Sequence, residues 1–81
     1  MFSGVGAASI AVGLKTLRIR TSVPGATVII KIDGVEIAKI VTDAYGTFSQ
    51  GLNAGLEEDQ EVTLEASKPG YNDGIFNDTV Y

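Results

Sequence analysis

The chain has 81 residues, 44% of them hydrophobic and 20% charged, with 6 basic side chains against 10 acidic ones and a net charge of −4. That length holds one small domain with a thin core, and the composition is that of a folded chain. There is no Cys, no His and no Trp. This excludes disulfides, thiolate chemistry, the commonest zinc ligand and every Ser-His or Cys-His catalytic arrangement. An acidic chain without a basic cluster is also a poor partner for a phosphate backbone, so no nucleic acid is expected.

The first charge along the chain is Lys15, and residues 1–14 (MFSGVGAASIAVGL) are apolar or small throughout. A membrane-spanning helix needs about 20 such residues, so no membrane span is expected. A secretory signal would open with positive charge, and this segment has none. Residues 1–14 therefore read as an N-terminal arm of the mature protein, ahead of a single domain at 15–81. The arm is rich in Gly and Ala, which disfavours an isolated helix and suits a flat, thin strand. It also lacks every device against edge pairing: no Lys, no Pro, no inward charge. Three readings follow. The arm is a donor strand that adds to a neighbouring subunit, the first strand of its own sandwich, or a lipid contact. Under the first reading, Phe2, Val5, Ala8, Ile10, Val12 and Leu14 form the interface.

From Lys15 onward the pattern has period two. Leu17 and Ile19 share one face of a half-buried strand, with Arg18 and Arg20 on the other. Val23-Pro24-Gly25 is a turn. Residues 26–32 alternate Val28, Ile30 and Ile32 against Thr27, Ile29 and Lys31. Asp33-Gly34 is the strongest hairpin signal and suits a type I′ turn, with residues 35–42 returning as the partner strand. Asp43-Ala44-Tyr45-Gly46 turns again into a short strand at 47–49. Residues 51–60 read as a loop carrying Glu57, Glu58 and Asp59. Residues 61–66 put Val62, Leu64 and Ala66 inward and Glu61, Thr63 and Glu65 outward. Lys68-Pro69-Gly70 turns, and residues 75–81 form a last strand. No window has helical periodicity, and turn signals every 8–12 residues mark a small β-sandwich.

Val23-Pro24-Gly25-Ala26-Thr27-Val28, Thr42-Asp43-Ala44-Tyr45-Gly46-Thr47-Phe48, Leu52 and Leu64-Glu65-Ala66-Ser67-Lys68-Pro69-Gly70-Tyr71 together resemble the carboxypeptidase regulatory-like superfamily of prealbumin-like and Cna-B-like sandwiches. The resemblance covers about residues 17–71. It implies an all-β, Ig-like or prealbumin-like antiparallel sandwich of about seven strands, with Phe48 filling the core opposite Val28 or Leu64. It also implies a rigid spacer, adhesion module, sugar-binding module or surface subunit, and no catalysis. Some Cna-B-like domains carry a Lys–Asn isopeptide bond assisted by a buried acid. Here Leu17 and Ile19 take the inward positions of the first strand, Ala66 stands where the acid would be, and Glu65 lies on the opposite face. No such bond is expected.

The remaining constellations have local explanations. Asp33, Asp43, Asp73 and Asp78 sit near turns, where Asp bonds the nearby backbone. A Ca²⁺ site built from them is the alternative, without EF-hand spacing. The acidic run at 57–61 reads as a solvated surface, with recognition of a basic partner as the alternative. Paired carboxylates serve glycosidases, but a sandwich this small seldom supplies the cleft. Phe48 and Tyr71 read as core. Phe2, Tyr45, Phe76 and Tyr81 read as terminal packing or, where a ring is exposed, as a surface for sugars. Asn77-Asp78-Thr79 matches a glycosylation acceptor. The expected function is a non-enzymatic structural subunit without cofactor or metal. It self-assembles by strand addition into an extracellular filament or a virion surface lattice. The alternative is a carbohydrate-binding or adhesion module at a virion or cell surface, with surface glycans as partners.

Overall fold

The computed structural model describes residues 4–7, 10–52 and 54–80. Seven strands follow in chain order among the described residues: β1 (Val5–Ala7), β2 (Thr16–Thr21), β3 (Thr27–Ile32), β4 (Val35–Val41), β5 (Thr47–Gly51), β6 (Glu61–Ser67) and β7 (Gly74–Thr79). All pairings are antiparallel. One sheet has the order β1-β2-β5 and the other β4-β3-β6-β7. No helix among the described residues is long and apolar enough to cross a membrane.

Period-two alternation decides which face of each strand is covered. On β2, Leu17, Ile19 and Thr21 are buried while Thr16, Arg18 and Arg20 are exposed. On β6, Val62, Leu64 and Ala66 are buried, as the alternation predicts. Val28 and Ile30 complete the facing layer from β3. These side chains meet between the two sheets and make one continuous core. The Asp33-Gly34 turn is closed by the Ile32↔Val35 pair, with φ of 52° and 81° at its two central residues. Positive φ at both positions is what a type I′ turn requires.

The edge strand β4 is irregular. Register shifts between Ile30 and Lys31, so Ile37 is the extra residue of a β-bulge. Val35, Ile37 and Val41 are exposed on it. A bulge bends and twists an edge, which makes it a poor template for another strand.

Three core residues come from outside the alternating runs. Ile10, Leu56 and Val80 are buried in the same cluster as Leu17 and Leu64. Residues 51–60 are therefore not purely a surface loop, because Leu56 is drawn inward. Its N–H donates to the Leu14 carbonyl at 3.0 Å, and the Gly13 N–H donates to the Leu56 carbonyl at 2.7 Å. Phe48 does not fill the core as the resemblance implies. It is half-buried on β5, opposite Ile19 in register, and stands outside the core cluster. Strand β5 is an edge of its sheet and pairs with β2 alone. Tyr71 is likewise half-buried, with the Lys68 ammonium 5.9 Å from its ring centroid.

Candidate functional site

The N-terminal segment is the feature that composition singles out, and within a single chain it closes on its own domain. Val5, Gly6 and Ala7 pair with Thr21, Arg20 and Ile19 of β2. The Ser22 N–H donates to the Gly4 carbonyl at 2.8 Å, and the Gly4 N–H donates to Ser22 Oγ at 2.6 Å. Ile10 is 0% exposed. Val5 and Leu14 are half-buried against the core, and Val12 is 53% exposed. Phe2 and Ala8 lie outside the described residues. Among the described residues the segment thus combines a three-residue strand at a sheet edge with the buried Ile10 side chain seated in the core.

A second cluster gathers where β2, β3, β4 and β5 meet. Thr21 and Thr42 are the buried polar side chains among the described residues. Their hydroxyls lie 3.0 Å apart. Thr21 Oγ1 donates to the Val23 carbonyl at 2.7 Å, and the Ala26 N–H donates to Thr42 Oγ1 at 3.0 Å. The Thr42 N–H returns a bond to the Ala26 carbonyl at 2.9 Å. Every hydroxyl and backbone group in this list has a partner, which is the condition for burying it. Sequence reading missed both threonines. The signal available was their position, each at the end of an alternating run next to a turn.

Asp43 organises the adjoining turn. Its Oδ1 accepts the Tyr45 and Thr47 N–H groups at 2.9 and 3.0 Å, and its Oδ2 accepts the Thr47 hydroxyl at 3.0 Å. The backbone N–H of Thr47, then that of Tyr45, holds the Asp43 carboxyl below its ordinary value of 3.8. Gly46 follows at φ 76°, and a Cβ there would lie 2.5 Å from the Thr21 carbonyl oxygen. Asp43, Gly46, Ala26 and Thr42 thus build a structural corner.

The other sequence candidates stay apart. Asp33 caps the far end of the molecule, where its Oδ1 accepts the Glu61 N–H at 3.0 Å and its own N–H donates to the Glu61 carbonyl at 2.8 Å. Asp73 and Asp78 join neither aspartate, and no three carboxylates cluster as metal ligands among the described residues. Tyr45 is 88% exposed at the tip of its turn. Asn77 is exposed on β7, where its side-chain oxygen accepts the Thr63 hydroxyl at 3.2 Å.

No protein-family model matches the sequence, and no curated protein matches it. Among solved structures, a chain in the complex of the pro- and mature domains of RgpB from Porphyromonas gingivalis is similar over 100% of this chain, with a TM-score of 0.79 and 18% identity. The matching region is 19% of that chain. Likeness at this level of identity shows the fold, an Ig-like β-sandwich.

Proposed function

We propose that the chain is a non-enzymatic structural subunit of the carboxypeptidase regulatory-like kind, joined to its neighbours by exchange of the N-terminal segment. The assembly is an extracellular filament or a virion surface lattice. The observation that carries this reading is the construction of the segment: an edge strand of three residues, Val5–Ala7, followed by the fully buried Ile10. Such a segment leaves one sandwich and enters another without altering the other six strands. The contacts it makes in its own chain are then made in the next one, so exchange costs little. Strand addition supplies main-chain hydrogen bonds, and the buried anchor supplies register.

Deletion of residues 1–13 tests the proposal by size-exclusion chromatography with light scattering. The intact chain is expected to form multimers, and the truncated chain to be monomeric or to aggregate through the exposed edge of β2. Equal masses for the two chains would remove the segment as connector. A second reading, an adhesion or carbohydrate-binding module, is favoured by the exposed Tyr45 ring.

A further inference from the structure

The outer face of the β1-β2-β5 sheet carries a positive patch on an acidic protein. Arg18 and Arg20 are both exposed on it. Two positions apart on one strand, their side chains leave the sheet on the same face, about 7 Å apart. Their neighbours in register are small: Ser49 beside Arg18, and Gly6 and Thr47 on either side of Arg20. The result is an open trough of about 850 Å³, with Gly4 at its end. Neither arginine takes part in an ion pair or a side-chain hydrogen bond among the described residues.

The complementary surface lies at the opposite end of the same molecule. Glu57, Glu58 and Asp59 are exposed on a turn closed by the Gln60 N–H to the Glu57 carbonyl at 3.3 Å and by Gln60 Oε1 accepting the Glu57 N–H at 2.8 Å. Asp33 and Glu61 sit beside it, joined by their mutual backbone and side-chain bonds. This end holds the start of β2 and β6, whereas Arg20, Gly4 and Thr47 lie toward the other end of a molecule 36 Å long and about 20 Å across. None of Glu57, Glu58 and Asp59 is in an ion pair among the described residues.

We propose that the Arg18–Arg20 trough receives the acidic turn at 57–59 of a second copy of the chain. The contact joins two different surfaces, so it is heterologous and propagates instead of closing as a two-fold dimer. It rests on the assembly reading above and deepens it. Exchange of the N-terminal segment is the apolar link, and the trough is the electrostatic link that sets orientation and speeds encounter. Guanidinium forks suit this role because each engages a carboxylate with two parallel bonds.

Sedimentation velocity of the intact chain at about 20 mM and about 1 M NaCl separates the two links, because the screening length falls several-fold between these salts. Association that survives at the higher salt reports segment exchange. The additional association at the lower salt reports the trough. Arg18→Glu with Arg20→Glu is expected to weaken the salt-sensitive part roughly tenfold or more, and Glu57→Lys, Glu58→Lys and Asp59→Lys to do the same. Mixing the two charge-reversed chains at low salt is expected to restore it, since each then carries the complement of the other. The milder pair Arg18→Ser and Arg20→Ser is expected to lose it without altering the fold. The proposal is overturned by an intact chain with no salt-sensitive association, by reversed or neutralised chains that associate like the intact one, or by a mixture that stays apart. Loss of the salt-resistant part alone counts against segment exchange and leaves the trough standing.

Discussion

Gly46 has little freedom to change. Its φ is 76°, and a Cβ would sit 2.5 Å from the Thr21 carbonyl oxygen, which itself cannot move without disturbing the β2 end. Gly46→Ala is expected to cost about 1–3 kcal/mol from backbone strain, before the clash is added. Thermal unfolding checks it, and a melting temperature unchanged by the substitution would contradict the turn geometry. Thr42→Val removes the acceptor of the Ala26 N–H and the partner of the Thr21 hydroxyl while conserving shape. Leaving a buried donor unpaired costs about 1–3 kcal/mol. Asp43 makes a prediction in pH. Its carboxyl titrates lower in the folded chain than at its ordinary 3.8, so the unfolded state binds the proton first on acidification. The stabilisation is fully present above 3.8 and is lost as pH falls through the lower folded value. Urea midpoints measured downward from about pH 5 are expected to fall less steeply for Asp43→Asn than for the native chain. At the hairpin, Gly34→Val is expected to destabilise through its φ of 81°. Asp33→Asn is expected to be nearly silent, because an Asn side-chain oxygen still accepts the Glu61 N–H.

At the scale of elements, β2, β3 and β6 were legible because alternation and burial are the same fact seen twice, and β4 was legible as the return strand of the Asp33-Gly34 hairpin. Leu17 with Ile19, Val28 with Ile30, and Val62 with Leu64 are spaced by the pleat and covered by the opposite sheet. The Asp33-Gly34 and Asp43–Gly46 turns were legible because few residues tolerate positive φ. The plugs of the core were not legible. Leu56 and Val80 lie in or beside loops, and Ile10 alternates with Val12 and Leu14 in a segment apolar or small throughout, so no pattern marks which of these side chains turns inward. Phe48 misled in the other direction, since a large ring in a strand promises a core position and β5 is an edge strand that covers it only partly. Ile10→Ala is accordingly expected to cost about 2–5 kcal/mol, the range for a buried aliphatic side chain. Phe48→Ala is expected to cost less than Ile10→Ala despite the larger side chain. Chemical denaturation of the two variants checks the order, and a reversed order would place Phe48 in the core. Thr21 and Thr42 were illegible for a different reason, because hydroxyls become buried only when a partner 21 positions away arrives.

For the whole molecule, the proposed function puts the contacts between copies at surfaces and strand edges. The β4 edge is bent by its bulge, whereas β1 is a short edge strand paired with β2 and followed by the buried Ile10. On the proposed reading, that contrast favours the N-terminal segment as the connector. Since the sequence has no cysteine, a pair introduced at Gly6 and Arg20, which face each other in the β1–β2 register, reports which chain owns the strand beside β2. The Gly6→Cys, Arg20→Cys chain is oxidised at about 1 M NaCl, where charge contacts are screened, and run on a non-reducing denaturing gel. Segment exchange predicts a ladder of covalent multimers that collapses to one band on reduction. A single cross-linked monomer, with no ladder at any protein concentration, would contradict it.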